Sequence, residues 1–463
     1  MYARVALFGA LLAAAPLHAR GQNAATYSLT DLGTLGGTYS EARGVNAAGH
    51  ATGDAYITGN VAPHAFRYAD GTMQDLGTLG GAASYGNAIN AGGQIAGYSF
   101  LPGNVAVLAF LYTDGALRDL GTLRGSNSIA YGINDAGQIT GDASLAGDSA
   151  VHAFLYTNGT MRDLGTLGGT YSAGYAVNSQ GQVTGYAYLA GNVAAHAFLY
   201  SDGVMTDLGT LGGTSSYGSG INAAGQVTGY ASVSGDTAVH AFLYGGAGMQ
   251  DLGTLGGTSS AGDAIDAVGQ ITGYSDTAGN AARHAILYAD GAMIDLNTLI
   301  APSNPLAPYV TLEEGRGISD TGFIVANGVD TRTGETHAYL LTPPHQAISD
   351  CAHIGSVAPL FDAVFARQAG PPDTFQKSFE APGPESAFLC VDNRVNDSPS
   401  VTSGSIDLNG VSVVAPHDWK HGTQGSLIQA SGSLLDENSL AVQLAGKPGA
   451  AIRVRVFAAA PAP

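Results

Sequence analysis

The heptapeptide Asp31-Leu32-Gly33-Thr34-Leu35-Gly36-Gly37 returns, intact or nearly so, from Asp75, Asp119, Asp163, Asp207, Asp251 and Asp295, 44 residues apart each time. A fixed period in this range marks an array of one small unit rather than a single conventional core. A second marker, His-Ala-Phe, keeps the same step at His64, His152, His196, His240 and His284. Leu108 replaces the histidine in one copy and Ile286 replaces the phenylalanine in another.

The unit spanning 126–169 divides into four short extended runs. Ile129 to Ile133 alternates large and small side chains and ends in the turn Asn134-Asp135-Ala136-Gly137; Gln138 to Ala143 follows, then a turn at Gly147-Asp148. Next come Val151 to Tyr156, the turn Asn158-Gly159, and Met161 to Leu167. Asn-Gly and Asp-Gly recur at this last turn, as at Asp70-Gly71, Asp114-Gly115, Asp202-Gly203 and Asp290-Gly291. They are strong hairpin signals because both turn positions require positive φ. No sustained helical period interrupts the pattern. Four antiparallel strands, A to D, in one 44-residue unit match a β-propeller blade. A β-helix is the rival repeat fold, but its parallel strands have no use for tight two-residue turns.

The phase of the repeat sets the blade number. The first heptapeptide, preceded by Tyr27-Ser28-Leu29-Thr30, is a lone D strand, whereas the last unit supplies Gly315-Arg316-Gly317-Ile318, Phe323-Ile324-Val325 and His337-Ala338-Tyr339 without a D strand. Seven A-B-C sets and seven D strands make a seven-bladed ring if the N-terminal strand completes the last blade, leaving no exposed sheet edge. His284 to His337 is 53 residues rather than 44, so the last unit carries an insertion, around Ile300 to Pro308.

Composition narrows the partners. The formal charge is -19, with only 17 basic residues scattered along 463. That argues against nucleic acid and anionic membranes, which need clustered Lys and Arg. Cationic partners and divalent ions stay open. Met1-Tyr2-Ala3-Arg4, the apolar run Val5 to Leu17 and then Ala19 have the three regions of a secretory signal. Cleavage is expected after Ala19, with a site nearer Ala25 as second choice because Leu17 is large for its position. The run is short for a membrane span, and no other comparable apolar stretch exists. The expected destination is secreted or extracellular, with the periplasm and the cell surface as the other options.

By its two markers the chain resembles the HAF-repeat family of extracellular bacterial proteins, over about residues 27–342. The resemblance implies a secreted repeat protein of propeller type and brings no established reaction or ligand. Leu108, Arg124, Ile286 and Asn297 are single-copy departures from the pattern.

After Pro343-Pro344 the period ends. Residues 343–372 read as a linker in which Leu360-Phe361 and Val364-Phe365 form one short amphipathic helix, closed by Gly370-Pro371-Pro372. Residues 373–463 read as a β-sandwich, Ig-like or carbohydrate-binding-like, with Asn409-Gly410 and Pro448-Gly449 turns and an alternating strand Ile452-Arg453-Val454-Arg455-Val456. Trp419, the single tryptophan, suits either a sugar-stacking role or an apolar core. Cys351 and Cys390 are an even pair, and in an oxidising compartment they are candidates for a structural disulfide.

The repeated histidines invite a reading as a metal ring. Equivalent positions on separate blades are far apart unless they line the axis, however, and His-Ala-Phe lies on strand C, not the axial strand. A structural role fits better, with the heptapeptide Asp as a turn-capping or blade-locking acceptor. No His-Glu-x-x-His, Cys-x-x-Cys, Walker, Gly-x-Ser-x-Gly or EF-hand motif occurs, and no cofactor is expected.

Function is therefore expected where the repeats disagree. On strand A the flanking positions are uniformly small, while between them stand Arg43, Asn87, Tyr131, Tyr175, Ser219, Asp263 and Arg316. One step earlier on that face come Glu41, Tyr85, Ile129, Ala173, Tyr217, Ala261 and Glu314. Of these, Arg43, Tyr85, Asn87, Tyr131, Tyr175, Tyr217, Asp263 and Arg316 are the candidate ligand-binding residues at the propeller mouth, suited to a polar extracellular glycan or peptide. Variation in ordinary blade packing is the plainer account of the same positions. The alternative function is a glycan-acting propeller enzyme, with Glu41, Asp263 and Glu314 as the acids available.

Overall fold

The computed structural model describes residues 26–343 and, beyond them, 359–368, 370, 372–381, 386–392, 401, 403–414, 427–435, 437–445 and 447–458. The leader reading of residues 1–19, Trp419 and Cys351 lie outside the described residues.

Residues 36–75, 84–119, 124–163, 168–207, 212–251 and 256–295 each form a four-stranded antiparallel meander in the order A-B-C-D. The seventh sheet joins Val310–Ile318, Ile324–Asp330 and Glu335–Thr342 to Ser28–Asp31, which pairs antiparallel with the last of these from Ser28↔Thr342 to Asp31↔Tyr339. The ring is seven-bladed and its first strand closes its last blade, as the phase of the repeat predicts. The insertion serves this seam. Tyr27 N–H donates to Leu299 O (2.7 Å), Ala301 N–H donates to Tyr27 O (2.8 Å), and Asn304 Nδ2 donates to Leu29 O (2.9 Å). Tyr27, Leu29, Leu296, Ile300 and Leu312 share one buried cluster there, so hydrophobic burial reinforces the strand pairing.

The invariant residues build the joints between blades. Between blades 3 and 4, Ala153 N–H donates to Ser172 Oγ (2.8 Å), Ser172 Oγ donates to Gly165 O (2.6 Å), and Leu164 N–H donates to Ala153 O (2.9 Å). His-Ala-Phe, the heptapeptide and a strand-A serine thus meet at one point. Ser40, Ser84, Ser128, Ser216 and Ser260 repeat the arrangement. At the joint before blade 7, Asn297 substitutes, accepting from Leu312 N–H (2.7 Å) and donating to Leu312 O (2.9 Å). All six serines are fully buried. Each joint therefore satisfies backbone groups that would be costly to leave unpaired.

The small residues of strand A have a steric cause. A Cβ at Gly174 would stand 2.2 Å from Thr140 Oγ1 of the preceding blade, and that hydroxyl is itself committed to Phe154 O (2.8 Å).

The C-terminal residues form two four-stranded sheets. One orders Phe361–Ala366, Ala451–Ala458, Ser386–Asp392 and Leu427–Ser433; the other orders Asp373–Glu380, Glu437–Ala445, Ser403–Leu408 and Val411–Val414. Phe365, Leu389, Ile406, Val442, Ile452 and Val454 belong to a single core shared by the two sheets, which makes this a sandwich. The expected short helix at 360–365 is a strand, and the sandwich begins there rather than at 373. Phe361↔Val456 through Ala366↔Ala451 pair it to the alternating strand. Phe361, Ala363 and Phe365 face the core while Val364 is exposed, a period of two that only the pairing reveals. Cys390 is buried in this sheet and disulfide-bonded.

Candidate functional site: the propeller mouth

Strand A lines the axis in every blade. A cavity of about 240 Å³ sits there, walled by Arg43, Gly44 and Val45 and by most of their counterparts, with every blade contributing. Val45, Ile89, Ile133, Val177, Ile221, Ile265 and Ile318 form an apolar collar around it. One residue further, Asn46, Asn90, Asn134, Asn178 and Asn222 each donate from Nδ2 to the backbone carbonyl of the equivalent residue on the next blade. That chain of amides links six successive blades beside the collar and leaves the strand-A residues before the collar to vary.

Of the candidate residues, Arg43, Asn87, Tyr131, Tyr175 and Arg316 line this cavity. Asn87 spends its amide across a joint, donating to Ala130 O (2.7 Å). Tyr85, Tyr217 and Asp263 are not among its lining residues; the two tyrosines enter the ring contacts described next, and Asp263 is a buried carboxyl influenced by Arg316 and Glu314.

The mouth has two unlike halves. Blades 6, 7 and 1 make an ionic half. Arg43 Nε lies 3.0 Å from Asp54 Oδ1 and its Nη2 2.9 Å from Glu41 Oε2, while Tyr39 donates a short hydrogen bond to Glu41. Burial pushes the Asp54 carboxyl up to about 6, and Arg43 opposes the rise. Arg316 Nε is 3.2 Å from Glu314 Oε2. Asp263 Oδ2 is shut from solvent and has no hydrogen-bond partner among the described residues. Burial raises this carboxyl well above its ordinary value; nearby Arg316 pulls against the rise and Glu314 adds to it.

Blades 2 to 5 make an aromatic half. Tyr85 stacks on Tyr98 (ring centroids 4.6 Å apart), Tyr131 meets Tyr175 edge-on (4.8 Å), Tyr186 meets Tyr217 (4.9 Å), and Tyr217 stacks on Tyr230 (4.9 Å). Tyr171 stacks on Tyr186 (5.6 Å) and donates its hydroxyl to Asp142 Oδ2 (2.8 Å). Tyr131–Tyr175 and Tyr186–Tyr217 cross blade joints, so packing accounts for part of this variation. Each of these tyrosines keeps part of its surface exposed, and Tyr131 and Tyr175 line the cavity.

Sequence reasoning found the strand-A members and missed their strand-B neighbours. The register sets Glu41 opposite Asp54, Tyr85 opposite Tyr98, Ile129 opposite Asp142, Ala173 opposite Tyr186, Tyr217 opposite Tyr230, and Ala261 opposite Tyr274. The signal was present: each follows a glycine at the same phase, from Gly53-Asp54 to Gly273-Tyr274.

The repeated histidines lie away from the axis, paired to aspartates of their own blade. His64 Nδ1 bonds Asp75 (3.0 Å), His152 bonds Asp163 (2.9 Å), His196 bonds Asp207 (2.8 Å), His240 bonds Asp251 (2.9 Å), His284 bonds Asp295 (2.7 Å) and His337 bonds Asp31 (2.9 Å). The same aspartates cap the heptapeptide turn, as where Gly165 N–H donates to Asp163 Oδ1 (2.7 Å). Asp119 caps Gly121 (2.7 Å) in the blade where Leu108 replaces histidine. Among the described residues no three His, Cys, Asp or Glu side chains gather to hold a metal ion, and no helix is long and apolar enough to cross a membrane.

No family model and no curated protein matches the chain. Among solved structures, TolB from Acinetobacter baumannii matches at 16% identity over 54% of this chain and 63% of its own, less than two thirds of its length, with a TM-score of 0.34. The β-propeller domain of the Trilobed protease from Pyrococcus furiosus matches at 10% identity over 70% of this chain and 99% of its own (TM-score 0.39). A prolyl endopeptidase matches at 11% over 74% and 52% (TM-score 0.41). The class is thus a β-propeller with a β-sandwich, resting on the sheet pairings above.

Proposed function

We propose that this protein is a non-catalytic binding or scaffold module of the HAF-repeat type, acting outside the cytoplasm, whose propeller mouth receives a polar glycan or peptide. The observation that carries this reading is a division of labour. The repeated residues are consumed by blade joints, turns and His–Asp pairs, whereas unrepeated ones, Arg43, Tyr131, Tyr175 and Arg316 among them, line the axial cavity. Aromatic faces beside a few charged groups are the usual composition of a site for polar ligands. The N-terminal leader pattern supports the location.

The test is a glycan and peptide array probed with the wild type, Tyr131→Ala and Tyr175→Ala. A ligand bound by the wild type and lost from both variants is expected. A ligand that binds all three alike places recognition elsewhere.

A second reading, an enzyme acting on glycans, draws on Asp263. A carboxyl raised by burial beside a second carboxyl, Glu314, is the pairing that acid/base chemistry uses. Polysaccharide cleavage by the wild type, abolished in Asp263→Asn, would establish it in place of the first.

A further inference from the structure

The aromatic half contains a buried carboxylate that no basic side chain among the described residues balances. Asp142 is 5% exposed, sits on strand B of blade 3, and takes one side-chain hydrogen bond, from Tyr171. Among the described residues no basic side chain pairs with it. Around it stand Tyr131, Tyr171, Tyr175 and Tyr186, whose ring contacts form one connected group: Tyr131 on Tyr175, Tyr175 on Tyr186 (5.7 Å), and Tyr186 on Tyr171. A buried carboxylate is costly without a counter-charge, and the tyrosine faces carry the negative end of the ring quadrupole.

Elsewhere on this face the protein supplies the cation itself. In blade 6, Tyr274 occupies the position that Asp142 holds in blade 3 and Tyr186 in blade 4. The Arg283 guanidinium carbon lies 3.9 Å from the Tyr274 ring centroid, with Arg283 Nε 3.6 Å from Asp276. In blade 1, Arg43 lies 6.0 Å from the Tyr85 centroid while pairing with Asp54 and Glu41. Tyrosine, carboxylate and guanidinium therefore occur together at two places, the first bridging blades 1 and 2, whereas among the described residues tyrosine and carboxylate occur around Asp142 without a cation.

We propose that the tyrosine half of the mouth binds an organic cation, an ammonium or guanidinium group carried by the ligand, seated on Tyr131, Tyr171, Tyr175 and Tyr186 with Asp142 as its counter-ion. The proposal rests on the mouth being the binding surface and adds the chemistry of what enters it. The overall charge of -19 favours approach of such a ligand. Choline and its neutral carbon isostere, in which a tert-butyl group replaces the trimethylammonium, have the same shape and differ in charge, so they separate a cation site from a merely apolar one.

The experiment titrates the full chain with each probe and follows the ligand methyl resonance, which ring currents move upfield when it sits on tyrosine faces. Choline is expected to give a saturable upfield shift, and the isostere to bind at least about tenfold more weakly. Asp142→Asn is expected to weaken choline by a similar factor, and Tyr175→Leu to abolish the upfield shift. Asp202→Asn, an exposed charge change in the turn between strands C and D of blade 4, leaves binding unchanged. Equal binding of the two probes, choline binding indifferent to Asp142→Asn, or no saturable response with choline raised to tens of millimolar overturns the cation assignment. Those failures are separable from failure of the mouth itself: an array ligand lost on Tyr175→Ala keeps the mouth, whereas array ligands indifferent to Tyr131→Ala and Tyr175→Ala remove it.

Discussion

His337 Nδ1 lies 2.9 Å from Asp31 Oδ2, across 306 residues of chain and across the seam where the ring closes. In five of the other six blades the same pair spans 11 residues of one sheet. The identical local contact is thus used once as a clasp between the two ends of the propeller.

The seam is expected to be pH-dependent. The hydrogen bond to Asp31 raises the His337 imidazolium above its ordinary value of 6.5, against partial burial. A raised histidine contributes stability that is complete below about pH 6.5 and is lost as pH climbs through the folded value. Wild type should exceed His337→Gln by about 1 kcal/mol at mildly acidic pH, with the gap narrowing toward pH 8. Urea unfolding at several pH values reads this directly, and a gap that widens with pH would contradict it.

Asp142 should lower stability in the same pH direction, over a more acidic range. Burial pushes its carboxyl up to about 6 from 3.8, so the folded state holds a proton that the unfolded chain has released. Stability falls between those values and stays lower above them. Asp142→Asn keeps the Tyr171 acceptor and removes the charge. It should match wild type near pH 4 and exceed it by about 2 kcal/mol at pH 7. Melting curves at the two pH values check this, and a variant less stable than wild type at pH 7 would refute it.

Ser172→Ala should cost about 2 kcal/mol, because it strands Ala153 N–H and Gly165 O in a joint that excludes water. Adding Ser260→Ala, which breaks a separate joint, should cost about as much again, since distant sites add. Denaturant midpoints of the single and double variants measure both claims.

Gly185→Ala should be worse than either. Its Cβ would stand 1.8 Å from the carbonyl oxygen of Ala173 on the neighbouring strand of the same blade. Backbone cannot step aside as a flexible side chain can, so a loss of roughly 3 kcal/mol or failure to accumulate folded protein is expected. A variant with wild-type thermal stability would show that the sheet can absorb the methyl group.

Much of this was legible in the chain because the fold is periodic. Asp163 and His152 announce themselves by repetition, and a capping acceptor and a structural histidine follow from residue type, but only the folded sheet shows that the two pair. Ser172 repeats with equal fidelity but is chemically ordinary, and nothing local says that its hydroxyl bridges two blades. The run around Phe361 and Phe365 fits both a helical and a strand reading, and its pairing with Ala451–Ala458 decided for the strand.

The sequence by itself determined the array, the seven blades and an N-terminal closing strand, since period and phase are properties of a single line of residues; it placed that strand over residues 27–37, whereas pairing confines it to Ser28–Asp31 and gives Gly36 onward to strand A of the first blade. Only the tertiary structure decided which unrepeated residues act together. Asp142 joins Tyr171, Tyr175 and Tyr186 through strand register and blade-to-blade packing, relations set by the closed ring and not by spacing along the chain.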